Sequence, residues 1–140
     1  VKRSVYTHVR ARVSLAIALR TATANGTSVD RKLSGASGTN EWYQSAALIV
    51  HAGTITDGTH AITLQVSDDN ATWGAAPAAD LQGSLPSIVA ADDDKLYEVG
   101  YIGNARYLRA VTTVSGTTTG GIYGAVILLG FPNVLPISRT

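Results

Sequence analysis

A period-two alternation of side-chain character recurs along this chain and constrains its fold more than any other feature. Val13, Leu15, Ile17 and Leu19 are interleaved with Ser14, Ala16, Ala18 and Arg20, the pattern of a strand with one buried face. In His60–Val66, Ile62, Leu64 and Val66 alternate with Ala61, Thr63 and Gln65. Tyr43–His51 contains the unbroken run Ala46–Val50, which suits a strand covered on both sides. Across Ile122–Phe131 both alternating sets are apolar, so this strand is expected to be central or buried at an interface. Gly, Thr, Ala and Val are plentiful while strong helix formers are scarce, with no Met at all.

Turn signals separate these segments. Asn25-Gly26 precedes a short strand over Ser28–Leu33, and Ser34–Asn40 reads as a loop. Asp57-Gly58 is expected to turn Tyr43–His51 back onto His60–Val66. Gly103-Asn104 predicts a two-residue hairpin joining Lys95–Ile102 to Ala105–Val114. In that register Glu98 faces Arg109, Gly100 faces Tyr107, and Val99 meets Leu108. Between the hairpins, Pro77 and Pro86 break any long element and Ala78–Leu81 fits a single helical turn. Roughly seven or eight short strands in 140 residues predict one all-β domain, an antiparallel two-sheet β-sandwich that is jelly-roll-like or immunoglobulin-like. A small barrel is the alternative. The expected divisions are a basic N-terminal arm over residues 1–12, a sandwich over 13–131, and an extended tail over 132–140, which Pro132 and Pro136 keep from continuing a central strand.

Charge is unevenly placed. Residues 1–32 hold seven cations and one acid, a net of +6, while the rest holds four cations and nine acids, a net of −5. A basic lead-in ahead of an acidic body suggests a docking arm that attracts an acidic partner. Val1, Val5, Tyr6 and Val9 interleave apolar groups that a purely solvating terminus lacks. Lys2, Arg3, Tyr6, Arg10 and Arg12 are the contact residues this predicts, and removal of residues 1–12 is expected to leave the body folded. Lys2-Arg3, Val13–Leu19 and Ala22–Ala24 imitate a signal peptide, but Ser14 interrupts the apolar run and Arg20 closes it, so an uncleaved, soluble chain is expected. No stretch approaches the ~20 apolar residues of a membrane-spanning helix.

Motifs that carry chemistry are scarce. There is no Cys, and His8, His51 and His60 lack metal-ligand spacing. No nucleophile elbow, P-loop or dinucleotide fingerprint occurs, so neither an enzyme nor a bound cofactor or metal is expected. Asp68-Asp69-Asn70 and Asp92-Asp93-Asp94 have hard-cation chemistry without an alternating ligand loop, and read as turn acids. Trp42, Tyr43 and Trp73 lie beside loops and form a candidate sugar-stacking platform, the carbohydrate-binding alternative. The acidic body argues against a nucleic-acid partner.

Gly53-Thr54-Ile55-Thr56-Asp57-Gly58-Thr59, Leu64–Trp73, Tyr101–Arg109 and Gly130-Phe131-Pro132 together resemble small virion proteins of tailed bacteriophages and prophages, several of which are capsid decoration, or cement, proteins. The resemblance covers somewhat over half the chain and leaves out residues 1–20. It implies a β-rich structural protein on the outer surface of an icosahedral head, present in the host cytoplasm during assembly. Its implied partners are the major capsid protein and copies of itself, as a homotrimer at three-fold or quasi-three-fold positions.

Overall fold

The computed structural model describes residues 4–34, 40–133 and 137. Its strands are β1 (Val9–Arg20), β2 (Ala24–Asn25), β3 (Val29–Asp30), β4 (Lys32–Ser34), β5 (Asn40–Ile55), β6 (Thr59–Ser67), β7 (Gly74–Ala75), β8 (Leu81–Gln82), β9 (Ser87–Ile88), β10 (Leu96–Tyr101), β11 (Tyr107–Ser115) and β12 (Gly121–Pro132). Single 3-10 turns occupy Ala78–Asp80, as expected, and Ala90–Asp92.

Two antiparallel sheets pack face to face as a β-sandwich. The first runs β1-β12-β5-β10-β8, with β4 on β5; the second runs β2-β11-β6-β7, with β3 on β11 and β9 on β6. Leu48, Val50, Val99, Tyr101, Tyr123, Ile127 and Leu129 from the first sheet meet Ile62, Leu64, Leu108 and Ala110 from the second in one hydrophobic core. Each fully buried Leu or Ile contributes about 1.5–3 kcal/mol of transfer free energy. β12 lies between β1 and β5, the central position its doubly apolar sequence predicts.

Both predicted hairpins are overturned. β5 and β6 belong to different sheets, as do β10 and β11. Glu98 therefore pairs with Ile49, and Arg109 with Gln65. Gly100 lies between Ala47 and Gln82, and Tyr107 between Ser67 and Asp30. Val99 and Leu108 share the core from opposite sheets.

The cause is visible around Gly103. A tight turn needs Ile102 and Ala105 to bond each other, but the Ile102 N–H donates to the Asp80 carbonyl at 2.9 Å. The Ala105 N–H donates to the Tyr101 hydroxyl at 3.2 Å, and the Gly103 carbonyl accepts from the buried Arg31 guanidinium at 2.9 Å. With these groups committed elsewhere, the chain arches across the sandwich. At the β5–β6 crossing, the Asp57 carboxylate accepts the N–H groups of Thr118, Thr119 and Gly120 and fastens the arch to the loop before β12.

Asn25-Gly26 is also not a turn. Gly26 passes between the sheets, donating its N–H to the Ala110 carbonyl at 2.7 Å. Beside it the buried Ser14 hydroxyl donates to the Thr27 carbonyl and accepts the Ala110 N–H, both at 2.8 Å. β1 of the first sheet is thereby tied to β11 of the second. A second buried polar link joins Tyr123 to His60 and Thr112, whose side chains reach its hydroxyl from the facing sheet.

Candidate interaction surface

Lys2 and Arg3 lie outside the described residues. From Ser4 onward the predicted arm is folded rather than extended. The His8 N–H returns to the Val5 carbonyl at 3.0 Å, and the His8 ring reaches the Ser4 carbonyl at 2.8 Å. β1 then begins at Val9, inside the region expected to be arm, with Val9 to Arg12 in register against Gly130 to Ile127. Arg10 is only 7 % exposed and lies 3.8 Å from the Glu41 carboxylate. It is a structural cation rather than a docking one, because β12 and its own sheet enclose it. Tyr6 and Arg12 are at the surface.

The sugar platform is not assembled either. Tyr43 is fully buried, its hydroxyl donating to Glu41 at 3.0 Å. Burial raises its pKa first, and the Glu41 carboxylate raises it further. Trp42 and Trp73 are half-buried and separately engaged: the Arg31 guanidinium sits 5.6 Å from one ring centroid and the Arg109 guanidinium 4.3 Å from the other. An indole whose face carries a guanidinium has that face closed to a sugar ring.

The acidic clusters serve the backbone. Asp69 accepts the N–H groups of Ala71 and Thr72 and the Ser67 hydroxyl, which hold its pKa at about 2. Asp57 is lowered by its three loop N–H groups, most by Gly120, and Asp92 by the Lys95 ammonium and then the Val89 N–H. Among the described residues no group of three potential ligands could hold a metal ion. Folded-state pKa values below the ordinary 3.8 mean that these carboxylates stabilise the fold above that pH. The contribution is lost as pH falls toward 2, where Asp69 takes up its proton. Urea midpoints measured between pH 5 and 2 are expected to fall with pH, and Asp69→Asn to flatten that slope. An unchanged slope in the variant would contradict the assignment.

The distinctive surface is the outer face of the first sheet. The β1 alternation was expected to bury Val13, Leu15, Ile17 and Leu19 together, but only Leu15 is inside. Bulges between Val13 and Leu15 and between Leu15 and Ala18 shift the phase, leaving Val13, Ile17 and Leu19 outside, with Ile17 74 % exposed. A bulge opposes two residues to one and so reverses which face later side chains take. Val126 lies beside Val13, Ile122 beside Leu19 and Leu128 beside Ala11. On the other side of β12, Ile49 pairs with Val126 and Ala47 with Leu128, and Leu96 continues the row from His51.

Along these four rows the ionisable side chains are His51 and Glu98. The opposite outer face, in the second sheet, carries Thr63, Gln65, Arg109 and Thr113 in the ordinary polar manner. The face of the first sheet is thus a continuous apolar surface on a fold that buries its own core without it, a feature that marks contact sites. The doubly apolar β12 sequence carried this signal; the phase of β1 did not.

The chain matches no family model and no curated protein. No helix among the described residues is long and apolar enough to cross a membrane.

Proposed function

We propose that this chain is a structural virion protein of the capsid-decoration type, a non-catalytic body that reinforces an icosahedral protein shell through protein–protein contact with the major capsid protein. The observation that carries the reading is the continuous apolar outer face of the first sheet. A surface with a single carboxylate and a single imidazole gives a charged or phosphorylated ligand little to grip, whereas it suits another protein surface. Buried polar links (Ser14 to Ala110, Tyr123 to His60 and Thr112) tie the two sheets together and spend His60 and Tyr123 on structure. The phage-like β-turn and strand motifs supply the kind of shell. The sugar-binding alternative loses Tyr43 to the core and is not carried further.

The test is co-sedimentation of the purified chain with assembled shells of a tailed-phage major capsid protein. Binding at saturable stoichiometry, with a rise in the shell's thermal disruption temperature, is expected. Because the apolar face dominates, binding should survive high salt, which screens charge contacts. Failure to bind expanded shells at micromolar concentration sinks the assignment.

A further inference from the structure

We infer that the apolar outer face of the first sheet packs against the same face of a second copy of this chain, about a two-fold axis that seats Phe131 of each copy in the hollow over Gly124 of the other. This deepens the proposed function by naming what covers the assembly face while the chain is free of a shell, and it rests on reading that face as a contact surface.

Three observations favour a second copy. The first is extent. Twelve residues each of β1, β12 and β5 and the six of β10, at about 3.3 Å per residue and 4.8 Å per strand, span roughly 670 Å² of sheet face, somewhat below the ~800 Å² per partner of a standard stable interface. Secondly, the face is nearly uncharged, so the best complement is an equally uncharged one, and its own copy provides that without juxtaposing like charges across most of the contact.

The third observation is shape. Ile17 leans over the bare Gly124, and beside them a hollow of about 360 Å³, open to solvent, lies between Val13, Ile17, Gly124, Val126 and His51. An apolar cavity of about 150 Å³ already holds benzene. At the far end of β12, Phe131 is 76 % exposed and takes a left-handed backbone (φ 53°), unfavourable for a bulky residue, while its ring borders a second hollow with Ala47, Gly100 and Leu128. Residues 124 and 131 lie equally far from the point on β12 between Ile127 and Leu128. A two-fold axis perpendicular to the strands at that midpoint lays β12 antiparallel over its copy and brings each Phe131 above the partner's Gly124. This is an isologous contact, closed and used once per pair, with the face-to-face geometry of stacked sheets.

Sedimentation equilibrium of the full chain, without shells, tests it. A mass of twice 14.5 kDa is expected at micromolar concentration. Phe131→Ala should raise the dissociation constant at least about 30-fold, since each pair loses two central aromatic anchors. Ile17→Asp should give a monomer, and Thr113→Asp on the opposite sheet should leave the mass unchanged. Circular dichroism checks that all three fold, as their exposed positions predict.

A monomer at high micromolar concentration, a mass of three chains, or a dimer indifferent to both Phe131→Ala and Ile17→Asp overturns the inference. The shell assay separates the two ideas: a dimer that never binds shells defeats the shell assignment alone. A monomer that binds them defeats the dimer alone.

Discussion

Replacing Gly26 with Ala is expected to lower stability by roughly 3–5 kcal/mol, a large share of the 5–15 kcal/mol typical of a domain. A β-carbon there would stand 2.5 Å from the Ala110 carbonyl oxygen, 2.6 Å from that of Ser14 and 2.8 Å from the Ser14 hydroxyl. Two of the three are backbone atoms and cannot rotate aside. Relief requires separating β1 from β11, which breaks the Gly26 N–H bond to Ala110 and strains the Ser14 bonds to Thr27 and the Ala110 N–H. Overpacking costs about 1–3 kcal/mol and a buried group left unsatisfied about the same again.

Ser14→Ala probes the same link without adding an atom, and should cost only about 1–3 kcal/mol by stranding the Ala110 N–H. Urea unfolding resolves the two. A Gly26→Ala loss under about 1 kcal/mol would show that the sheets are free to separate here.

That link illustrates where the sequence stops being readable. The period-two pattern located β1 and β6, the unbroken apolar run located β5, and the doubly apolar β12 was rightly central, because which residues can form a strand is set locally by the pleat. Sheet membership is set by partners far along the chain. Gly103-Asn104 has the composition of a hairpin turn, yet the Gly103 carbonyl is held by Arg31, 72 residues away. Asp57-Gly58 looks equally turn-like, and its carboxylate is committed to a loop more than sixty residues on.

Nor does a charge count distinguish a docking cation from a buried one. Arg10 and Arg12 are alike in sequence context, and only the fold brings Glu41 beside Arg10. The interaction face was half legible: β12 announced apolar residues on two sides, but the β1 bulges that turn Val13, Ile17 and Leu19 outward leave no mark in an alternating pattern.

Glu41→Ala is expected to destabilise the protein by about 3–5 kcal/mol, the usual cost of removing one member of a buried ion pair. Glu41 is 2 % exposed on β5, Arg10 is buried on β1, and β12 runs between their strands. Loss of the carboxylate removes the charge 3.8 Å from the enclosed guanidinium and takes the acceptor from the Tyr43 hydroxyl. The paired change Arg10→Met with Glu41→Leu should lose far less, since it removes both charges and their desolvation together.

The double-mutant cycle thus predicts a coupling well above the 0–1 kcal/mol of a surface pair. Deleting residues 1–12 falls on the same side of this argument. It strips Val9–Arg12 from the edge of β12 and takes Arg10 from beside Glu41, so the truncated chain should melt lower than the intact one rather than keep a body of unchanged stability. If truncation and Glu41→Ala both leave the urea midpoint unmoved, Arg10 is not the internal cation its burial indicates.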